Sequence, residues 1–126
     1  MTLQGKTAVI TGSNSGIGLG IALEMAKAGA DVVINSFTDR EEDHALAAQI
    51  AADHGVNACY IQADMSKGDQ CRALIEQAGA CDILINNAGI QHVAAIDEFP
   101  QDKWDAIIAI NMSSAYHTSA AALPMM

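Results

Sequence analysis

The sequence feature that most constrains the fold of this chain is a glycine-rich segment, TGSNSGIG, at residues 11–18. The apolar run before it, residues 7–10, predicts a short strand, and the apolar-periodic run after it, residues 17–28, predicts a helix. The first turn of a helix offers unpaired N–H groups and a partial positive charge, which together suit a phosphate group. A strand, a glycine turn and a helix in this order therefore predict a dinucleotide-binding turn.

The three glycines of this segment have different expected roles. Gly12 suits the positive φ of a tight turn, Gly16 lets the backbone approach a phosphate, and Gly18 lets the helix pack closely on the strand. The spacing G-x-x-x-G-x-G differs from the common dinucleotide pattern G-x-G-x-x-G. The segment also lacks the Gly-Lys-Ser/Thr of a P-loop, and Asn14 stands where a nucleophile elbow has serine.

Composition excludes several classes of partner. The chain has 126 residues, of which 51% are hydrophobic, and its net charge is −9, from 15 acids against 6 bases. Phosphate-rich nucleic acid and anionic membranes are poor partners for such a surface. Since the chain has no apolar run of the roughly 18 residues needed to span a bilayer, we expect a cytoplasmic location.

The cysteines do not indicate a metal site. Cys59, Cys71 and Cys81 are 12 and 10 residues apart, which matches neither a zinc-binding spacing nor a C-x-x-C motif. The histidines are scattered as well, so we expect no metal, and we interpret the cysteines as reduced thiols that pack in the core.

Strand and helix patterns alternate along the rest of the chain. Further strands are predicted at 30–34, 57–62 and 82–86, and further helices at about 38–54, 69–78 and from 101 or 104 toward 123. We expect the acidic run 39–43 to be a solvated helix start. The alternation predicts an α/β fold, a doubly wound parallel sheet of the Rossmann type, truncated after about four strands. The apolar ending, residues 122–126, indicates one incomplete dinucleotide-binding domain, 1–126, without a C-terminal catalytic half.

Four motifs in order resemble the classical short-chain dehydrogenase/reductase family. They are TGSNSGIG, Asp64, the NNAG of residues 86–89, and an asparagine at 111. The resemblance covers essentially the whole chain. Within the family, the segments 89–92, 97–100, 103–107 and 120–124 look most like the 3-hydroxybutyrate dehydrogenases.

The resemblance implies roles for individual residues. It implies a pyrophosphate and nicotinamide contact for Gly12, Ser15, Gly16, Ile17 and Gly18. It implies contacts with the adenosine half and with the path to the nicotinamide for Asp64, Met65, Asn87, Ala88 and Gly89. Phe37, at the end of the second strand, is a further candidate cofactor-binding residue. Asn111 corresponds to a catalytic asparagine that bends a helix and holds a relay water, and Gln91 is similar to a substrate contact.

Each of these residues also has a purely structural interpretation. Asp64 suits a turn or helix cap, and Asn86 and Asn87 suit ties between loops. Asn111 inside an apolar helix needs hydrogen-bond partners whatever its function. We expect His92 to be a loop residue packed near the site rather than a catalyst.

The residues after the second strand favour NAD over NADP. An acid there commonly binds the ribose 2′-OH of NAD, and an arginine commonly accommodates the 2′-phosphate of NADP. This chain has neither marker in Asn35, Ser36 and Phe37, but four acids at 39 and 41–43 surround a single Arg40. Ser15 also stands where NADP-dependent members of the family often have a basic residue.

The family's catalytic base is absent from these residues. The family uses a tyrosine whose pKa is lowered by a lysine four positions on, but here Tyr60 is followed at that spacing by Asp64, and Tyr116 by Ala120. The resemblance implies a parent enzyme that is a homo-oligomer and interconverts a small-molecule pair, 3-hydroxybutyrate and acetoacetate, while this chain alone is inactive. Two alternatives stay open: an NADPH-dependent 3-oxoacyl thioester reductase, and a non-catalytic nucleotide-binding module.

Overall fold

The computed structural model describes residues 2–126, and its centre is a four-stranded sheet. All neighbouring strands are parallel, in the order β3-β2-β1-β4. The strands are β1 (Thr7–Ile10), β2 (Asp31–Ser36), β3 (Ala58–Gln62) and β4 (Ile83–Ile85). The predicted parallel α/β fold is confirmed, and every predicted strand is present within two residues of its expected bounds.

Helices connect the strands and follow the last of them. They are α1 (Gly16–Lys27), α2 (Glu41–His54), α3 (Gly68–Ala78), α4 (Gln101–Ile108) and α5 (Ser114–Ala122). Short 3₁₀ turns lie at Ile96–Glu98 and Leu123–Met125. Among residues 2–126, no helix combines the length and the apolar character needed to cross a bilayer.

Both faces of the sheet are covered, which explains why the strands are continuously apolar. Along β1, Ala8 and Ile10 face α1 and α2, whereas Val9 faces α3 and the end of α5. Ile10 and Ile34 are fully buried, and each such side chain contributes about 1.5–3 kcal/mol relative to an exposed one. The sheet is therefore doubly wound, with helices on either side.

The start of α2 differs from the prediction. The helix begins at Glu41, and Arg40 is its N-cap residue. Three of the four acids in the run are exposed as expected: Asp39, Glu41 and Glu42. The prediction of a solvated acidic run is wrong for Asp43, which is only 2% exposed. Hydrogen bonds to the Asp43 carboxylate make this burial possible, and they are described below.

The helical segment after residue 101 is interrupted rather than regular. A π-helical turn, Ala109–Ser113, separates α4 from α5, with Asn111 at its centre. Such turns insert an extra residue into a helix and re-aim its side chains. The long apolar helix predicted from the sequence is thus present. Its hydrogen-bonding pattern changes locally at Asn111, where the family resemblance implies a bend.

The described cysteines are free thiols, as predicted. Cys71 and Cys81 are buried in the layer beneath α3, and burial raises the pKa of both thiols. Cys59 differs because it lies exposed on the edge strand β3, so it is not a core thiol.

Candidate functional site

A cavity of about 460 Å³ opens at the carboxyl ends of the strands. Parallel sheets bind ligands at this edge, in the crevice where the strand order reverses, and here that crevice lies between β1 and β4. The lining residues come from the segments after β1, β2, β3 and β4 and from the π turn: Gly12, Asn14, Ser15, Asn35, Ser36, Phe37, Ala63, Asp64, Met65, Asn87, Ala88, Gly89, Ile90 and Ile110. The sequence predicted eight of these residues.

The glycine turn is shaped by two close approaches. Gly12 has φ +61°, and a Cβ there would lie 2.9 Å from Cα of Ala88, so the β1 and β4 loops touch at this point. At Gly18 a Cβ would overlap the carbonyl oxygen of Gly12 and lie 2.5 Å from Nδ2 of Asn87. The first turn of α1 therefore packs against the glycine turn itself, rather than against the strand as predicted.

Asn35 fixes the glycine turn from the neighbouring strand. Its Oδ1 accepts from the Gly12 N–H at 3.1 Å, and its Nδ2 donates to the Ile61 carbonyl at 3.0 Å. The Ser13 hydroxyl accepts from the Asn35 N–H at 2.9 Å, and the Ser13 N–H donates to the Asn35 carbonyl at 2.7 Å. One fully buried amide thus ties β1, β2 and β3 together at the cavity floor.

Thr11 and Asn87 hold the β4 loop against the β1 loop. The Thr11 hydroxyl oxygen accepts from the N–H groups of Asn87 at 3.0 Å and Ala88 at 2.9 Å. In return, Nδ2 of Asn87 donates to the carbonyls of Gly12 at 2.9 Å and Thr11 at 3.2 Å. Nδ2 of Asn87 is therefore engaged in the cavity wall, which agrees with the structural interpretation of this residue.

Asp64 and Met65 form the wall beyond β3. Oδ1 of Asp64 accepts from the hydroxyl of Ser66 at 2.6 Å and from its N–H at 2.9 Å. These bonds lower the pKa of the Asp64 carboxyl below its usual range despite partial burial, so the group is an anionic acceptor at neutral pH. Met65 is nearly buried beside it and gives this end of the cavity an apolar surface.

The far side of the cavity ends at the π turn. Asn111 pairs with Ile90 through two hydrogen bonds of 2.8 Å, accepting from its N–H and donating to its carbonyl. Ile90 and Ile110 line the cavity, whereas Asn111 lies just outside the lining. Asn111 thus anchors the loop after β4 to the helical segment that contains α4 and α5. The backbone of this segment is irregular at Asn111, because the residue lies in the π turn.

Not all predicted site residues are brought together. Gly16, Ile17 and Gly18 lie in the first turn of α1 and outside the lining, and Ile17 is 79% exposed. Ser15 is the N-cap residue of α1 and lines the cavity, and within the described chain its side chain makes no capping hydrogen bond. Gln91 is exposed on the β4 loop and outside the lining.

His92 is outside the cavity lining and packs against an aromatic side chain. Its ring meets that of Phe99 edge to face at a centroid distance of 5.4 Å, and Phe99 in turn contacts Trp104. A second, shallower depression of about 350 Å³ lies beside this aromatic group. No group of three His, Cys, Asp or Glu side chains in residues 2–126 is arranged to hold a metal ion.

Sequence reasoning missed four lining residues: Asn14, Ala63, Ile90 and Ile110. Asn35 and Ser36 were considered only as markers of cofactor type. Ile110 had no distinguishing signal, because it belongs to a regular apolar run. Asn35 had one: a polar residue directly after three buried β-branched residues at the end of a strand must find internal partners.

Comparison with known proteins assigns the family. The model of the family described as short chain dehydrogenase matches residues 6–126. This chain belongs to the short-chain dehydrogenase family. The predicted membership of this family is therefore confirmed over residues 6–126.

Relatives and solved structures agree with this assignment. The D-beta-hydroxybutyrate dehydrogenase of Cupriavidus necator is 52% identical over 128 residues, which cover 98% of this short-chain dehydrogenase chain and 49% of the relative. A short-chain dehydrogenase from Burkholderia cenocepacia in complex with NADP superposes with a TM-score of 0.94 at 36% identity, covering 100% of this chain and 53% of its own. An NADH-dependent reductase, A1-R′, complexed with NAD superposes with a TM-score of 0.90 at 30% identity, and the match covers 98% of this chain and 52% of the reductase chain. The chain thus spans about half the length of the proteins it matches.

Proposed function

We propose that this chain is the NAD-binding part of an oxidoreductase that transfers hydride between NAD and the 3-hydroxybutyrate/acetoacetate pair. The observation that carries the proposal is the preformed cavity at the carboxyl ends of β1, β2 and β4, whose glycine turn and NNAG loop match the family motifs. The 52% identity to a D-beta-hydroxybutyrate dehydrogenase supports the substrate pair.

In this proposal the dinucleotide lies along the cavity. The pyrophosphate is bound by the turn that contains Gly12, Ser15, Gly16, Ile17 and Gly18. The adenosine half lies against Phe37, Asp64 and Met65, with the Asp64 carboxylate accepting from the adenine amino group. The path to the nicotinamide follows Asn87, Ala88 and Gly89. Because Phe37 is 71% exposed at the cavity edge, it is free to lie over an adenosine ring.

NAD is proposed over NADP on electrostatic grounds. None of the described residues that line the cavity is Lys or Arg. A 2′-phosphate would therefore enter a site without a basic lining residue, on a molecule of net charge −9. Solved structures of the family contain either NAD or NADP, so this choice depends on the charges of this chain.

Catalysis needs groups that these 126 residues do not contain. No tyrosine of the sequence is followed by a lysine four residues on. We propose that Asn111 positions the reaction end of the site, that Gln91 contacts the substrate, and that a parent enzyme supplies the tyrosine and lysine. The parent would be cytoplasmic and a homo-oligomer. The oligomer is supported by exposed apolar side chains on α4, the π turn and α5, namely Trp104, Met112 and Tyr116. This chain alone is expected to bind without turnover.

A pair of glycine variants tests the site. Gly16 and Gly5 both have positive φ, and at both positions an added Cβ would meet no atom within 4 Å, but only Gly16 lies in the proposed phosphate turn. We expect Gly16→Val to abolish NADH binding, measured by the fluorescence of the bound nucleotide, while Gly5→Val retains it. Equal NADH affinity in the two variants would contradict the assignment of the phosphate turn.

Sequencing the gene beyond codon 126 tests the proposal of a parent enzyme. The proposal requires a serine followed by a Tyr-x-x-x-Lys motif.

A further inference from the structure

The start of α2 carries a basic side chain close to the adenosine end of the cavity. Phe37 lines the cavity, and Arg40 follows three residues later as the N-cap of α2. The Arg40 guanidinium is bound to Asp43: its Nη2 lies 3.2 Å from Oδ1 and its Nε 3.4 Å from Oδ2. Glu42 adds a weaker contact at 3.8 Å. The arginine is thus held by its own helix.

Asp43 is a fixed anion rather than a surface charge. Its Oδ1 also accepts from Nδ2 of Asn14 at 3.1 Å, and its Oδ2 accepts from the Thr38 hydroxyl at 2.8 Å and the Arg40 N–H at 3.0 Å. Burial alone would raise the pKa of Asp43, but the bonds from Arg40, Asn14 and Thr38 outweigh it and hold the pKa well below its usual range. The carboxylate is therefore charged throughout the neutral range.

This anion lies directly behind the cavity wall. Asn14 lines the cavity and donates to Asp43, so one hydrogen bond separates the carboxylate from a lining residue. The end of β2 is where this type of fold distinguishes a ribose 2′-OH from a 2′-phosphate, and Ser36 and Phe37 carry no charge there. Of the charged residues that follow at the start of α2, Asp43 is bonded both to Arg40 and to Asn14 in the cavity wall.

We propose that Asp43 determines the cofactor specificity of this chain, by holding Arg40 in an ion pair and by placing a fixed negative charge behind Asn14. Both effects disfavour a 2′-phosphate and leave a 2′-hydroxyl unaffected. The inference rests on the nucleotide-binding function proposed above. Asp43 acts through Arg40 and Asn14, so it is a positioning residue.

A purely structural role for Asp43 makes a different prediction. An acid in the first turn stabilises a helix through the helix dipole, whichever nucleotide is bound. Loss of that role would weaken NADH and NADPH binding by the same factor. The ratio of the two dissociation constants therefore separates specificity from stability.

The decisive variant is Asp43→Asn, because the two carboxylate oxygens have different partners. An asparagine oxygen in the place of Oδ2 still accepts from the Thr38 hydroxyl, from the Arg40 N–H and, at the longer distance, from Arg40 Nε. Its amide in the place of Oδ1 opposes Arg40 Nη2 and Asn14 Nδ2, and the negative charge that paired with the guanidinium is lost. We expect the ratio of the NADPH to the NADH dissociation constant to fall about fivefold to tenfold, since an exposed guanidinium can then pair with the 2′-phosphate. Fluorescence titration of the purified chain with each nucleotide measures both constants. Asp43→Glu, which restores the charge, should return the ratio toward that of the unaltered chain.

Glu42→Gln is the matched control for net charge. Glu42 is exposed and its only contact with Arg40 is the long one, so the ratio should change less than about twofold. An equal fall of the ratio in Glu42→Gln and Asp43→Asn would overturn the inference, as would an unchanged ratio in Asp43→Asn.

A surface pair keeps the test independent of the folding of Asp43→Asn. The double variant Arg40→Met with Glu42→Gln leaves the net charge unchanged and alters only side chains that are more than half exposed. Since Arg40 is already paired in the unaltered chain, we expect a change in the ratio of less than about twofold. A tenfold rise would show that Arg40 is free to bind the 2′-phosphate and would overturn the inference. Failure of the unaltered chain to bind NADH at all would instead refute the nucleotide-binding function.

Discussion

Gly18 is the residue at which the site tolerates the least change. A Cβ at this position would lie 2.9 Å from Cα of Ser13 and 2.5 Å from Nδ2 of Asn87, and would overlap the Gly12 carbonyl. These neighbours are mostly backbone, so they move only if the glycine turn moves. The demand for glycine thus comes from packing, since Gly18 has an ordinary helical φ.

Two alanine variants of α1 separate packing from helix propensity. Gly18→Ala should lower the free energy of unfolding by about 1–3 kcal/mol, the usual cost of overpacking. Gly20→Ala in the same helix meets no atom within 4 Å and should raise it by about 0.5–1 kcal/mol, because alanine is the better helix former. Urea denaturation followed by circular dichroism measures both. The same sign of change in the two variants would refute the packing argument.

Single residues also show the limits of sequence reasoning. Glycine spacing indicated a positive φ at Gly12, because few other residues adopt it. Asp43 could not be recognised in the same way, since four acids in five residues look alike until the fold buries one of them. Which acid becomes buried depends on Asn14, 29 residues away in the sequence.

At the scale of elements, the Thr11 hydroxyl helps to join the loop after β4 to the end of β1. Thr11 Oγ1 is the acceptor for two successive N–H groups of the NNAG loop. The Thr11 N–H still donates to the Ile85 carbonyl at 3.0 Å, and the hydroxyl extends the connection beyond this last backbone bond. The loop forms one wall of the cavity, and the wall therefore depends on this side chain.

Thr11→Val tests the link between the two elements. Valine keeps the shape of threonine but leaves two partly buried N–H groups without their acceptor, which should cost about 1–3 kcal/mol of unfolding free energy. We also expect NADH binding to weaken, since the wall residues Asn87 and Ala88 lose their anchor. Thr11→Ser keeps the oxygen and serves as the control, with little loss of NADH affinity in the same titration. Equal NADH affinity in the two variants would contradict this role of the hydroxyl.

Elements were predictable where one pattern dominates. The strands β1 and β2 and the ends of α1 and α2 have local causes, and their positions were predicted within two residues. The π turn was not predictable from periodicity, because the apolar pattern continues through residues 106–110 without a break. Only the family resemblance of Asn111 pointed to an irregularity there.

At the scale of the whole molecule, the excess of acids opposes an anionic ligand. The net charge is −9, yet the proposed ligand carries a pyrophosphate. Backbone N–H groups at the start of α1 act over a few ångströms, whereas the repulsion of the acidic surface acts over the Debye length. Salt should therefore screen the repulsion more than it screens the attraction.

We expect NADH to bind more tightly in 0.1 M salt than in 0.01 M salt. The Debye length falls from about 30 Å to about 10 Å over this range, and the dissociation constant should fall about twofold to threefold. Adenosine has no charge and is the control ligand, with no more than a small change expected. Weaker NADH binding at the higher salt concentration would show that the long-range field is not repulsive at the cavity.

Asn35 has a consequence for how the cavity responds to a ligand. Its amide and the Ser13 hydroxyl join the glycine turn to two neighbouring strands through bonds that are wholly internal to the protein. The conformational entropy of this wall is therefore lost during folding, before any nucleotide arrives. A ligand that enters such a preorganised wall has little backbone to order, so most of its contact energy remains available as affinity.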